Sequence, residues 1–100
     1  MQSNLSQTYN EINPIIHNPA RLLILSILEL LEYADFKYLL NETGLTKGNL
    51  SSHMSKLETV GYIEIQKKFK NNMPLTTYNI TQQGLSELTK YRDLMKSIIQ

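Results

Sequence analysis

Between Leu45 and Tyr62 the chain reads LTKGNLSSHMSKLETVGY, and this stretch leaves the fewest options for the fold. It holds a capping residue, a helical pattern and a glycine stop, and then runs into strand-like sequence without a linker. Leu50, Met54 and Leu57 recur at i, i+4 and i+7, one stripe of an α-helix. Lys47, Asn49, Ser51, Ser52, Ser55 and Lys56 fill most of the other positions, and within the stretch no acid precedes Glu58. A helix that hides one stripe and shows small, polar and cationic side chains elsewhere suits the major groove of DNA.

The flanking sequence tells what this helix belongs to. Upstream, Tyr33-Ala34-Asp35 reads as a connector whose Asp35 caps a helix from Phe36 to about Thr43, with Phe36, Leu39 and Leu40 facing inward. Gly44 ends that helix, Leu45 plugs the corner and Thr46 caps the next one. Helix, short glycine-containing turn, helix is the spacing of a helix-turn-helix. Downstream, Gly61 stops the helix, and Tyr62 to Phe69 puts Ile63, Ile65 and Phe69 on one face and Glu64, Gln66 and Lys68 on the other. A polar loop, Lys70 to Pro74, leads to a second strand, Leu75 to Ile80, with Tyr78 and Ile80 inward. The pair forms a hairpin attached directly to that helix, with Lys67, Lys68 and Lys70 near its tip.

The ends of the chain read as helices. Asn13-Pro14 and Asn18-Pro19 each place an Asn cap before a Pro at a first helical position. The second opens a helix from Pro19 to about Glu32 in which eight of the ten residues from Leu22 to Leu31 are Leu or Ile. That is more than one buried stripe requires, so a second apolar face is expected to meet another helix or another subunit. Residues 1–12 space Leu5, Tyr9 and Ile12 helically and form either an arm or a dimer helix. Thr81 caps a last helix, residues 82–99, whose outer half offers Tyr91, Leu94, Met95, Ile98 and Ile99 to a symmetry mate.

Composition narrows the function. The 100 residues make one domain with a formal charge of only +1, but the charge is uneven. Residues 1–36 set Arg21 against Glu11, Glu29, Glu32 and Asp35, whereas residues 37–80 set six lysines against Glu42, Glu58 and Glu64. The absence of cysteine excludes disulfides and thiolate chemistry and suits a cytoplasmic protein. The apolar run from Leu22 is about half the roughly 20 residues of a membrane helix, and the polar start MQSNLSQTYNEIN lacks a signal-peptide core. No phosphate loop, metal-ligand pair or nucleophile with an acid partner is visible, so neither enzyme activity nor a cofactor or metal is expected. His53 is a packed surface histidine or a phosphate or base contact, and His17 is a loop residue with no metal partner.

The stretch from His17 to about Gly84 resembles the winged-helix domain of MarR/ArsR-like transcriptional regulators, particularly their small stand-alone members. LTKGNLSSHMSKLETVGYI carries most of the likeness, with the basic hairpin, Pro74, Thr76 and Tyr78, and Ile80-Thr81 before Gly84. The resemblance implies an α+β fold, mainly α with a small β-hairpin: a winged helix-turn-helix with terminal dimerisation helices. It implies DNA contacts by Thr46, Lys47, Asn49, Ser51, Ser52, Ser55 and Lys56, and by Lys67, Lys68, Lys70 and Asn71 of the wing. Leu5, Leu22, Leu25, Tyr91, Leu94, Met95 and Ile98 would form the dimer interface. The wing carries Met73 and Leu75 where relatives usually place basic residues around the matching Pro, so wing contact falls to its lysines and asparagines. The expected function is sequence-specific regulation of transcription by a homodimer on double-stranded DNA. The alternative is a winged helix that docks a partner protein.

Overall fold

The structure is a computed structural model that describes residues 5–99, and for Leu5 the backbone alone. Among these residues the order is α1 (Leu5–Glu11), α2 (Pro19–Glu29), β1 (Ala34–Asp35), α3 (Phe36–Thr43), α4 (Lys47–Thr59), β2 (Ile63–Lys70), β3 (Met73–Ile80) and α5 (Gln82–Ile99).

Local chemistry sets most boundaries. The Asn18 side chain accepts from the Arg21 amide at 3.0 Å and Pro19 opens α2. Asp35 accepts from the Tyr38 amide at 2.8 Å to start α3, which ends at Gly44 with φ 70°. Thr46 accepts from the Asn49 amide at 3.2 Å to start α4. The Thr81 hydroxyl accepts from the Gly84 amide at 3.0 Å and donates to the Gly61 carbonyl at 2.6 Å. One side chain thus caps α5 and ties it to the corner after α4.

The core draws Ile24, Leu25 and Leu28 from α2, Leu39 from α3, Leu50, Met54 and Leu57 from α4, Ile63 from β2, and Leu88 and Tyr91 from α5. Packing α4 by its Leu50–Met54–Leu57 stripe leaves its opposite face outward. The radius of gyration, 15.5 Å, exceeds the roughly 13 Å of a compact chain this long. The hairpin tip and the end of α5 both extend past the core, leaving Phe69, Met73 and Ile99 exposed.

Several expectations change. Tyr33-Ala34-Asp35 is more than a connector, because Ala34 and Asp35 pair with Tyr78 and Thr77 as a third strand in a sheet ordered β1-β3-β2. Asn13-Pro14 opens a single turn rather than a helix, its Asn13 Oδ1 accepting from the Ile15 and Ile16 amides, and the chain reaches Asn18 within that turn and a bend. α2 ends at Glu29, and Leu23 and Leu30 point outward, so its apolar surplus is not all buried. The Lys70–Pro74 loop shrinks to a two-residue turn, with φ 53° at Asn71 and 64° at Asn72 closing the Lys70–Met73 pair. That is type I′ geometry, to which Asn is suited. Phe69, expected inward, is 79% exposed because β2 has left the core by that point.

Candidate nucleic-acid interface

The outward face of α4 is a set of unengaged donors. Lys47, Asn49, Ser51, Ser52, Ser55 and Lys56 are all exposed. Among the described residues none of these side chains makes a hydrogen bond or ion pair within the protomer. For Asn49, Ser52, Ser55 and Lys56 this follows from the packing stripe, which lies roughly 100° or more away around the helix, whereas Lys47 and Ser51 flank the stripe more closely. Thr46 differs, because its hydroxyl oxygen is already committed to the cap of α4.

The hairpin carries further exposed cations. Register pairs Lys67 with Thr76, Lys68 with Leu75, Phe69 with Pro74 and Lys70 with Met73. Alternation places Lys67 and Phe69 on one face and Lys68, Lys70 and Met73 on the other. Pro74 fits inside a strand here because, next to the closed Lys70–Met73 pair, position 74 needs no amide hydrogen. Among the described residues Lys67, Lys70 and Asn71 have no side-chain partner, whereas the Lys68 ammonium sits 4.7 Å from the Tyr33 ring centre, tying the hairpin back to the body.

One contact crosses from α2 to α4. Arg21 Nη1 lies 3.1 Å from His53 Nδ1, while Arg21 Nε donates to the Ile15 carbonyl at 2.6 Å. Partial burial and then the Arg21 charge hold the His53 pKa below the ordinary histidine value. Sequence reasoning counted Arg21 with the acidic third of the chain. Its position in the first turn of α2 was the available signal, since the helix dipole disfavours a cation there.

A family model described as a winged helix DNA-binding domain matches residues 20–99. The chain belongs to this family. An uncharacterized protein of Methanocaldococcus jannaschii is 36% identical over 77 residues, covering 77% of this chain and 84% of its own. The solved structure of a transcriptional regulator homologue from Pyrococcus horikoshii OT3 superposes with a TM-score of 0.85 at 32% identity, covering 93% of this chain and 94% of that one. A MarR-family putative transcriptional regulator from Enterococcus faecalis V583 shares the fold, with a TM-score of 0.77 at 18% identity over 96% of this chain and 86% of that one.

In winged-helix terms, α3 and α4 are the helix-turn-helix, the β2–β3 hairpin is the wing, and α1 and α5 flank them. The expected dimer residues do not form one class. Leu25 is fully buried in the protomer's own core and offers no face to a partner, whereas Tyr91 is mostly buried but keeps an edge at the surface between α2 and α5. Leu22 and Met95 instead line an open apolar groove of about 800 Å³ between α2 and α5, together with Ile99. The Arg92–Glu29 ion pair, 2.6 Å, joins the same two helices. Leu94 is half-buried and Ile98 is exposed further along α5, and the Leu5 side chain lies outside the described residues. His17, expected to be idle, contacts the Tyr91 hydroxyl through Nδ1 at 2.8 Å. Among the described residues no group of His, Cys, Asp or Glu could hold a metal, and no helix is long and apolar enough to cross a membrane.

Proposed function

We propose that this winged helix is a DNA-binding regulator of transcription that acts as a homodimer on double-stranded DNA in the cytoplasm. The observation that carries the reading is the face of α4, where lysine, asparagine and serine donors stand exposed without partners among the described residues. A surface of this chemistry reads base edges and phosphates in a major groove. Asn49 is the best base reader, since a side-chain amide both donates to and accepts from adenine. The groove between α2 and α5 supplies the second half of the reading, because an open apolar surface of this kind is suited to a symmetry mate. A two-fold dimer would set its two α4 helices into major grooves about 34 Å apart on a pseudo-palindromic site. The role is one of binding rather than catalysis.

The test is fluorescence anisotropy with a duplex selected by the protein from a randomised pool. Replacing Lys47 and Asn49 together by Ala should weaken binding by about tenfold or more, the scale of one base contact, with little change in Tm. Unchanged affinity would remove α4 from the interface. A second reading, docking of a partner protein, is favoured by one observation: Phe69 and Met73 are 79% and 66% exposed at the wing tip, where DNA contact would call for cations.

A further inference from the structure

Arg21 is a cation without an acid. Among the described residues it makes no ion pair, and its engaged partners are the carbonyls of Ile15 and Pro14 and the ring of His53. It also sits in the first turn of α2, where the dipole works against positive charge. A guanidinium carries five N–H groups and three contacts occupy only part of them, so donors and an uncompensated charge remain at the partly exposed edge of α4. Because a guanidinium can only donate, His53 Nδ1 at 3.1 Å must accept. The ring is then neutral with its hydrogen on Nε2, the nitrogen on the far side from Arg21. On α4, His53 is one turn from both Asn49 and Lys56, two exposed residues of the proposed reading face.

We propose that Arg21 and His53 act as one DNA-contact unit beside Asn49 and Lys56, in which the arginine supplies phosphate-directed charge and fixes the imidazole as an Nε2–H donor to the nucleic acid. This rests on the DNA-binding reading above and adds a residue of α2 and a flank of α4 to its surface. The acceptor is a phosphate oxygen or the N7 or O6 of guanine, the groups a fixed N–H can reach in a major groove. Arg21 is here a positioning residue for His53 as well as a contact.

The first experiment needs no DNA. Long-range 1H–15N spectra of the free protein at pH 7 should show His53 protonated at Nε2 alone, and R21K, which keeps the charge but lacks the fork, should loosen that tautomer preference. A ring protonated at Nδ1 overturns the proposal. The second measures anisotropy with the selected duplex across a salt series. R21Q should lower the slope of log affinity against log salt by about 0.9, while R21K keeps it. H53A should weaken binding about fivefold, and H53Q, whose amide offers an N–H at similar reach, should recover most of the loss. If the unaltered protein binds but R21Q and H53A match it in slope and affinity, this inference alone fails. If the unaltered protein binds no duplex, the DNA-binding reading fails and this one with it.

Discussion

The backbone of Gly84 lies directly against the carbonyl group of Tyr62. An ideal Cβ at residue 84 would fall 2.9 Å from the Tyr62 carbonyl carbon and 3.0 Å from Ile80 Cγ1, both inside ordinary contact. The same Tyr62 carbonyl accepts from the Thr81 amide at 3.0 Å, so the oxygen cannot simply turn away. G84A should therefore destabilise the fold by about 1–3 kcal/mol through overpacking, despite the better helix propensity of Ala. Thermal unfolding should register a Tm at least about 4 °C lower; an unchanged or higher Tm would mean that α5 can shift freely on the wing base.

A different imperfection lies in the sheet. Thr77 is 1% exposed, and among the described residues its Oγ1 has no hydrogen-bond partner. A buried hydroxyl left without a partner is destabilising, whereas a methyl of the same shape is not. T77V should raise stability by about 1 kcal/mol and Tm by roughly 4–8 °C, with duplex affinity unchanged. A lower Tm would mean that the hydroxyl does find a partner, such as a buried water.

These two sites mark where sequence reasoning stops. The starts of α2, α3, α4 and α5 were legible because Asn18, Asp35, Thr46 and Thr81 bond to amides three residues on, a purely local matter. The strand Ala34–Asp35 was not, since two residues carry no alternation and their state is set by pairing with residues 77 and 78. The tight packing of Gly84 was not legible either, because its neighbour in space, Tyr62, is 22 positions away in the chain. The six unengaged side chains of α4 were legible from its buried stripe, whereas the Arg21 to His53 contact spans 32 positions and could only be found in three dimensions. Leu25 was misassigned because an apolar residue looks the same in sequence whether its own core or a partner covers it.

The depressed pKa of His53 predicts a pH dependence with a definite sign. Folding holds His53 neutral, first through burial and then through Arg21, so below the ordinary value of 6.5 the unfolded chain binds more protons. The stability linked to this group is complete above that value and declines as pH falls from 6.5 toward the lowered folded pKa. Chemical denaturation at pH 7.5 and 5.5 should therefore show a larger loss of stability on acidification in the unaltered protein than in H53Q. Equal losses would mean that His53 titrates as if exposed.

The groove between α2 and α5 makes the oligomeric state testable without DNA. Met95 lines it at the edge of the core, half-buried. M95E would put a charge where a symmetry mate is proposed to pack, which a buried interface tolerates poorly. Sedimentation should give a dimer for the unaltered protein and a monomer for M95E, with duplex affinity reduced because one recognition helix is lost. Leu25 serves as the contrast: L25A should lower Tm through a core cavity of about 2–5 kcal/mol without a specific effect on the dimer. A unaltered chain that sediments as a monomer while binding duplex tightly would assign the groove to something other than a second copy.

The wing separates the two functional readings. Among the described residues Lys67 and Lys70 have no partner, Lys68 is partly engaged by Tyr33, and Phe69 and Met73 are exposed beside them. If the wing lies on phosphates, K70A removes about one counterion-releasing contact and lowers the salt slope by about 0.9, while replacing Phe69 and Met73 by Ser leaves the slope alone. K68A should add a small effect on stability, because it also releases the Tyr33 ring, a contact of roughly 0.5–1 kcal/mol at an exposed site. If the tip instead serves a protein, the Phe69 and Met73 variants lose the partner while duplex affinity and salt slope stay at the level of the unaltered chain. The measurement is one salt series per variant on the selected duplex, and a slope that ignores Lys67 and Lys70 would withdraw the wing from DNA while leaving α4 in place.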